Sequence, residues 1–196
     1  QAGSYGTLGV PAGTNVPGAR DSAMAWKDAS DNFWLFGGTG RDSTGTSGIL
    51  NDLWKYDGTN WTWISGASTL GQMPNYGTLG VTSPSNMPGA RDGAVVKMDA
   101  SNNLWMMGGY GIDPSGFSGA LNDLWKFDGV NWTWVAGAQQ TDVFGTYGTQ
   151  GVASATNTPG SRENAAIWID TSSRIWIFGG SGYDAVGNAG QLSDLW

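Results

Sequence analysis

Hydrophobic positions in this chain come in short bursts rather than long stripes. Residues 33–36 (Phe-Trp-Leu-Phe) and 104–107 (Leu-Trp-Met-Met) are continuously apolar and each run stops at a Gly-Gly pair. Four apolar residues in a row put side chains on both faces of a strand, so both faces need cover. Residues 22–27, small and apolar, predict a strand just before the first run, and Asp28, Asp31 and Asn32 between them are turn formers, with counterparts at 99–103 and 170–174. After a Gly-rich stretch at 39–51, Asp52-Leu53-Trp54-Lys55-Tyr56 alternates in the strand sense, Asp57-Gly58 turns, and Trp61-Thr62-Trp63-Ile64 alternates again. The pattern predicts a four-stranded antiparallel meander with little or no helix.

The meander recurs. Pro17-Gly18-Ala19-Arg20 returns at 88–91 and, as Pro-Gly-Ser-Arg, at 159–162, a period of 71 residues. Gly37-Gly38, Gly108-Gly109 and Gly179-Gly180 keep this spacing, as do Tyr5-Gly6, Tyr76-Gly77 and Tyr147-Gly148. Between 5–66 and 76–137, 38 of 62 positions are identical without a gap, which marks tandem duplication of one supersecondary unit. Residues 1–196 therefore read as one segment with repeats at about 5–71, 76–142 and 147–196, and strand-rich cores at about 17–66, 88–137 and 159–196. Gln1 aligns with Gln72, and Trp196 with Trp54 and Trp125, so the third meander is expected to be incomplete and the chain a piece of a longer array.

Sheets apolar on both faces must stack, and radial stacking of four-stranded sheets is the β-propeller, which also protects strand edges. The combination of Arg20, Gly37-Gly38, Tyr56 and Trp61, repeated as Arg91, Gly108-Gly109, Phe127 and Trp132, and in part as Arg162 and Gly179-Gly180, resembles kelch repeats. The resemblance implies an all-β fold of kelch-type propeller blades, about three of them with the last incomplete, in which these Arg, Gly and Trp residues are structural. A kelch unit runs to about 50 residues; the excess here sits at 39–51 and in the linker at 66–89. In this the chain is most similar to long-repeat bacterial kelch proteins, commonly secreted, which implies an extracellular or cell-surface location.

Composition narrows the chemistry. A net charge of −7 with nine scattered Lys and Arg offers no footprint for a nucleic-acid backbone, and no apolar run is long enough for a membrane span. With no Cys and no His, disulfides, thiolate metal sites, Ser-His-Asp triads and the copper-radical site of kelch oxidases are excluded from this segment. The sole glutamate, Glu163, aligns with Asp21 and Asp92 beside the repeated arginine and has no evident carboxylate partner for glycoside chemistry. Charged residues that recur in every copy suit a scaffold better than an asymmetric active site. No cofactor is expected; a calcium site drawn from loop oxygens at Asp42, Asp113 or Asp184 is a minor alternative, since six to eight ligands are needed and no EF-hand-like spacing of carboxylates occurs.

The linker into the first strand and the loop after the second are expected to share one face, so that face is where ligand binding is expected. Its candidate residues are Asp42, Asp113 and Asp184, each in a Gly-x-Asp-x-x-Gly loop, and Tyr5, Tyr76 and Tyr147. Carboxylates beside aromatic rings suit a sugar, while the plainer reading is an Asx turn at each Asp and a tyrosine packing the linker on its blade. Arg20, Arg91 and Arg162 are expected to bridge backbone carbonyls between blades. The expectation is thus a non-catalytic extracellular scaffold that binds a glycan or protein. Its rival is a self-assembling ring or filament subunit with blades completed between chains, and a lesser one is part of a propeller enzyme whose active site lies outside the segment.

Overall fold

The computed structural model describes residues 1–196 and contains strands and turns but no helix. Repeat one holds β1 (Arg20–Asp21), β2 (Met24–Lys27), β3 (Phe33–Phe36), β4 (Thr39–Arg41), β5 (Ser47–Ile49), β6 (Leu53–Tyr56) and β7 (Trp61–Ser65). Repeat two supplies β8 (Arg91–Asp92), β9 (Val95–Met98), β10 (Leu104–Met107), β11 (Tyr110–Ile112), β12 (Ser118–Ala120), β13 (Leu124–Phe127) and β14 (Trp132–Ala136). Repeat three supplies β15 (Arg162–Glu163), β16 (Ala166–Ile169), β17 (Ile175–Phe178), β18 (Ser181–Tyr183) and β19 (Ala189–Gln191).

The predicted meanders form propeller-like blades. Antiparallel sheets run β2-β3-β6-β7 and β9-β10-β13-β14, and the third blade holds β16-β17 with Leu195 bridged to Phe178. Both faces of β10 are covered, as its sequence demands: Leu104, Met106 and Met107 are buried and Trp105 is half-buried. The stretch at 39–51, read from sequence as a loop, is instead a hairpin of β4 and β5. With β1 it makes a second, three-stranded sheet, repeated as β8-β11-β12 and β15-β18-β19. These short strands carry a central glycine and no apolar alternation, so pairing with the residues around Arg20 holds them, not a packed face. The first long strand also starts later than predicted, at Met24, because Ser22 takes a left-handed φ of 50°.

Blades join through backbone and aromatic contacts. Arg91 N–H donates to Leu50 O (3.1 Å), Gly38 N–H to Arg91 O (2.9 Å) and Gly93 N–H to Ser22 O (3.1 Å); the same three bonds link repeats two and three. Strand β9 lies against β2 on one side and β16 on the other, which makes the first strand of each blade the innermost. Farther out, Phe36 packs on Trp132 of the next blade (5.4 Å) and Trp34 edge-on to Phe127 (5.6 Å), in a core shared by blades one and two. Such aromatic pairs contribute beyond their buried area.

The two extensions of the repeat separate in space. The middle of the linker leaves the hairpin and runs along the outer edge of its own blade: Gly9 N–H donates to Trp63 O (2.8 Å) and Ala12 bridges Trp61, with Gly80 and Ser83 repeating this on Trp134 and Trp132. An uncovered last strand would expose a row of unpaired amides, and the linker removes that edge. Its start and its return reach the small sheet: Gly71 N–H donates to Ile49 O (3.0 Å), and Pro17-Gly18-Ala19 turns in against β4. There Gly18 is required by close approach, since a Cβ would lie 1.8 Å from Arg41 O.

Candidate functional site

Each repeated arginine anchors a buried polar network. Arg20 makes a two-pronged pair with Asp52 (2.6 and 2.7 Å), and its remaining donors reach Gly18 O (3.1 Å) and Gly37 O (2.8 Å). Asp52 also accepts from Tyr5 Oη (2.6 Å) and Trp54 Nε1 (2.7 Å). Repeat two reproduces the set with Arg91, Asp123, Tyr76 and Trp125, and repeat three with Arg162, Asp194, Tyr147 and Trp196. One carboxylate thereby ties together the linker, the Pro-Gly-Ala-Arg turn, the Gly-Gly pair and the third blade strand. The arginine side chain bonds carbonyls within its own repeat, not between blades as expected; its backbone makes the link between blades.

Electrostatics follow from this burial. Burial, reinforced by the adjacent carboxylate, pushes the Tyr5 and Tyr76 hydroxyls far above the ordinary phenol range. Burial opposes the charge of Arg91, but Asp123 outweighs it and the guanidinium stays charged. For Asp194, burial raises the carboxyl and the donors Arg162, Tyr147 and Trp196 overcome it, leaving the group well below the usual range. The arrangement is a clamp in which four of the five guanidinium N–H donors are assigned.

The aspartates among the candidates sit at the hairpin tips. Asp42 Oδ1 accepts Thr44 N–H (2.9 Å), Thr46 N–H (3.0 Å) and Thr44 Oγ1 (2.7 Å). Asp113 does the same for Ser115 and Phe117, and Asp184 for Val186 and Asn188. The Thr44 hydroxyl chiefly holds Asp42 below the usual carboxylate range, and the Asn188 amide does so for Asp184. Asp42 and Asp113 are buried, as are Tyr5 and Tyr76, whereas Tyr147 is exposed. The six candidates do not converge on one point. In repeat three, Tyr147 and Asp184 line a groove of about 500 Å³ with Val186, Leu192 and Asp194. The equivalent space of repeat one is occupied by 67–71, with Ala67 N–H on Asn51 Oδ1 and Ser43 N–H on Ser68 O.

Around those tips the frame is constant and the decoration is not. Asp42-Ser43-Thr44-Gly45-Thr46, Asp113-Pro114-Ser115-Gly116-Phe117 and Asp184-Ala185-Val186-Gly187-Asn188 share the capping Asp and a glycine at φ 84–87°, while the tip side chains differ and are exposed. One feature escaped the sequence reading. Asp52, Asp123 and Asp194 follow their arginines by 32 residues in every repeat, a spacing that could have revealed the pairs. Asp21, Asp92 and Glu163, one residue past each arginine, lie where the small sheets meet between blades: Asp92 accepts from Thr39 Oγ1 of the preceding blade, and burial with the Asp92 charge raises the Glu163 carboxyl.

No family model and no curated protein matches the sequence. Among solved structures, that of YjhT is similar over 92% of this chain with a TM-score of 0.53 and 15% identity. The match takes in 54% of YjhT, so the chain spans about half the length of that protein. At that identity the likeness concerns the fold alone, and it agrees with an all-β array of antiparallel, propeller-like blades.

Proposed function

We propose that this chain is a kelch-type propeller segment acting as a non-catalytic extracellular scaffold, and that it binds a glycan or protein through the hairpin face. The kelch assignment is supported by Arg20, Gly37-Gly38 and Trp61, by Arg91, Gly108-Gly109 and Trp132, and in the third repeat by Arg162 and Gly179-Gly180. The extracellular placement rests on the resemblance to secreted long-repeat proteins. The observation that carries the binding role is the constant Asp-x-x-Gly frame bearing exposed side chains that differ in all three copies. A rigid loop repeated with different tips is how scaffolds display recognition groups. The buried arginines and aspartates that recur are committed to one another, which supports a non-catalytic role.

Screening the full chain on arrays of oligosaccharides and of surface proteins tests this. A ligand whose capture is lost on replacing the tips (Thr44→Ala, Phe117→Ser, Val186→Ser), with unchanged thermal unfolding, is the expected result. Capture that survives those changes, or no capture on either array, would sink the reading. A second reading is supported by the joints between blades. Blade three presents Gly180 N–H, Leu192 O and Asn164 O at the positions by which blades one and two bond their successors. Such a surface suits association with a further blade of the same kind, as a self-assembling subunit requires. Sedimentation of the isolated chain over a range of concentrations tests it: a discrete oligomer or filament supports the reading, and a stable monomer overturns it.

A further inference from the structure

The two ends of the blade array differ in charge. Of the sixteen carboxylates, three are cancelled by the buried arginines. Seven of the other thirteen belong to the small sheets and their contacts: Asp21, Asp92 and Glu163 in their first strands, Asp42, Asp113 and Asp184 at their tips, and Asp142 bonded to Ala120 N–H. One unpaired cation, Arg41, shares that end, so it carries a net −6 of the molecule's −7. The opposite end, with the turns around Asp28, Asp57 and their counterparts, has six carboxylates against Lys27, Lys55, Lys97, Lys126 and Arg174, a net −1.

The same end bears five of the exposed large apolar side chains. Phe117 (70% exposed) and Val186 (77%) stand at hairpin tips. Met73 and Phe144, also exposed, lie against the tip glycines Gly116 and Gly187, and exposed Tyr110 is paired directly opposite Asp92. At the equivalent positions repeat one has Thr46, Thr44, Ala2 and Thr39. On the hairpin face the exposed large apolar side chains are therefore confined to repeats two and three, although the frame beneath is common to all. Isolated exposed apolar residues need no explanation, but several on one face mark an interaction site.

We infer that the hairpin face over repeats two and three docks a basic polypeptide segment carrying apolar side chains. The inference deepens the binding role proposed above and depends on it. Charge complementarity draws a cationic partner and disfavours nucleic acid or an anionic membrane surface. Uncovered Phe, Val and Met then give such a partner apolar anchors, which a neutral sugar would use poorly. The polar groups a sugar would need are engaged elsewhere: Tyr76 Oη on Asp123, and Asp42 and Asp113 on their own loops.

Fluorescence anisotropy of the full chain with three labelled peptides of equal length tests this: an amphipathic Lys/Leu peptide, a Lys/Ser peptide of equal charge and a Glu/Leu peptide of equal apolarity. The expected result is binding of the Lys/Leu peptide about tenfold tighter than either control, weakening as salt is raised. Phe117→Ser with Val186→Ser should cost about tenfold, whereas Val130→Ser at the opposite end should change nothing. Asp21→Asn with Asp92→Asn and Glu163→Gln should flatten the salt dependence. Equal binding of the Lys/Ser peptide, no binding of the Lys/Leu peptide, or an equal effect of Val130→Ser would overturn the inference. If tip-dependent capture of an oligosaccharide is seen on the arrays while the Lys/Leu peptide fails to bind, the inference falls and the broader binding role stands. If neither occurs, both fall.

Discussion

The polar clamp of repeat two and that of repeat three have the same bonds and different surroundings. In repeat two, Arg91 and Asp123 are fully buried, and the Tyr76 ring lies 5.0 Å from Trp125 and 5.0 Å from Trp134 of the fourth strand. In repeat three, Arg162 is buried, but Asp194 keeps 14% of its side-chain exposure and Tyr147 touches only Trp196 among aromatics. A short motif at fixed spacing is therefore enough to set the bonding pattern. What each bond contributes depends on whether a fourth strand and the turn after it cover the pair. A buried ion pair is costly to break because its survivor is stranded, whereas an exposed survivor is rescued by water.

The largest effect should come from stranding the arginine. Asp123→Ala leaves Arg91 without a counter-charge and removes the acceptor of Tyr76 and Trp125, and should destabilise by about 3–5 kcal/mol. Asp194→Ala, nearer water, should cost less than half of that in urea unfolding of the same chain. Equal losses would show that the motif, not its cover, sets the energy. The tyrosines come next: Tyr76→Phe should lose about 1–2 kcal/mol by removing a donor from a buried carboxylate, and Tyr147→Phe less than about 0.5 kcal/mol. Glycines in the small sheets give a milder test. A Cβ at Gly119 would lie 2.6 Å from the Asp142 carboxylate that holds Ala120 N–H, while at Gly190 it would meet nothing within 4 Å. Gly119→Ala should cost about 1 kcal/mol and Gly190→Ala almost nothing, as read from thermal unfolding midpoints.

The same contrast explains which elements are legible in the sequence. The strand at 33–36 was legible to the residue, because a packed face leaves a run of apolar side chains that cannot sit elsewhere. Strands β4 and β5 were not, since Thr39-Gly40-Arg41 and Ser47-Gly48-Ile49 are held by backbone pairing and carry no apolar period. Among the candidate residues, the recurrence of Asp42 and Tyr5 was visible, and so was an Asx turn as one reading of the aspartate. The partner of Tyr5 was not, because Asp52 lies 47 residues away and reads locally as the start of a strand. Polar pairs across such distances leave no local pattern; only their constant spacing over three copies exposes them.

The smallest effect sharpens the comparison at the joints between blades. Glu163 of repeat three is raised above its ordinary value first by burial and then by Asp92 of repeat two, so its ionised form is the disfavoured one in the folded chain. A carboxyl raised on folding binds its proton more tightly in the native state. Its penalty is therefore complete above the folded pKa and relieved as pH falls toward the unfolded value of about 4.3. Glu163→Gln removes the charge and should stabilise the chain at pH 7 by a few tenths of a kcal/mol, the site being partly open to water. The gain should vanish below about pH 4, where the native glutamate is itself protonated. Asp21→Asn, at the equivalent but more exposed position, should give a smaller gain at pH 7 in parallel urea unfolding. A gain of the same size and pH dependence at both positions would mean that the carboxylate between adjacent blades is irrelevant, and that the net charge of the hairpin face alone governs the effect.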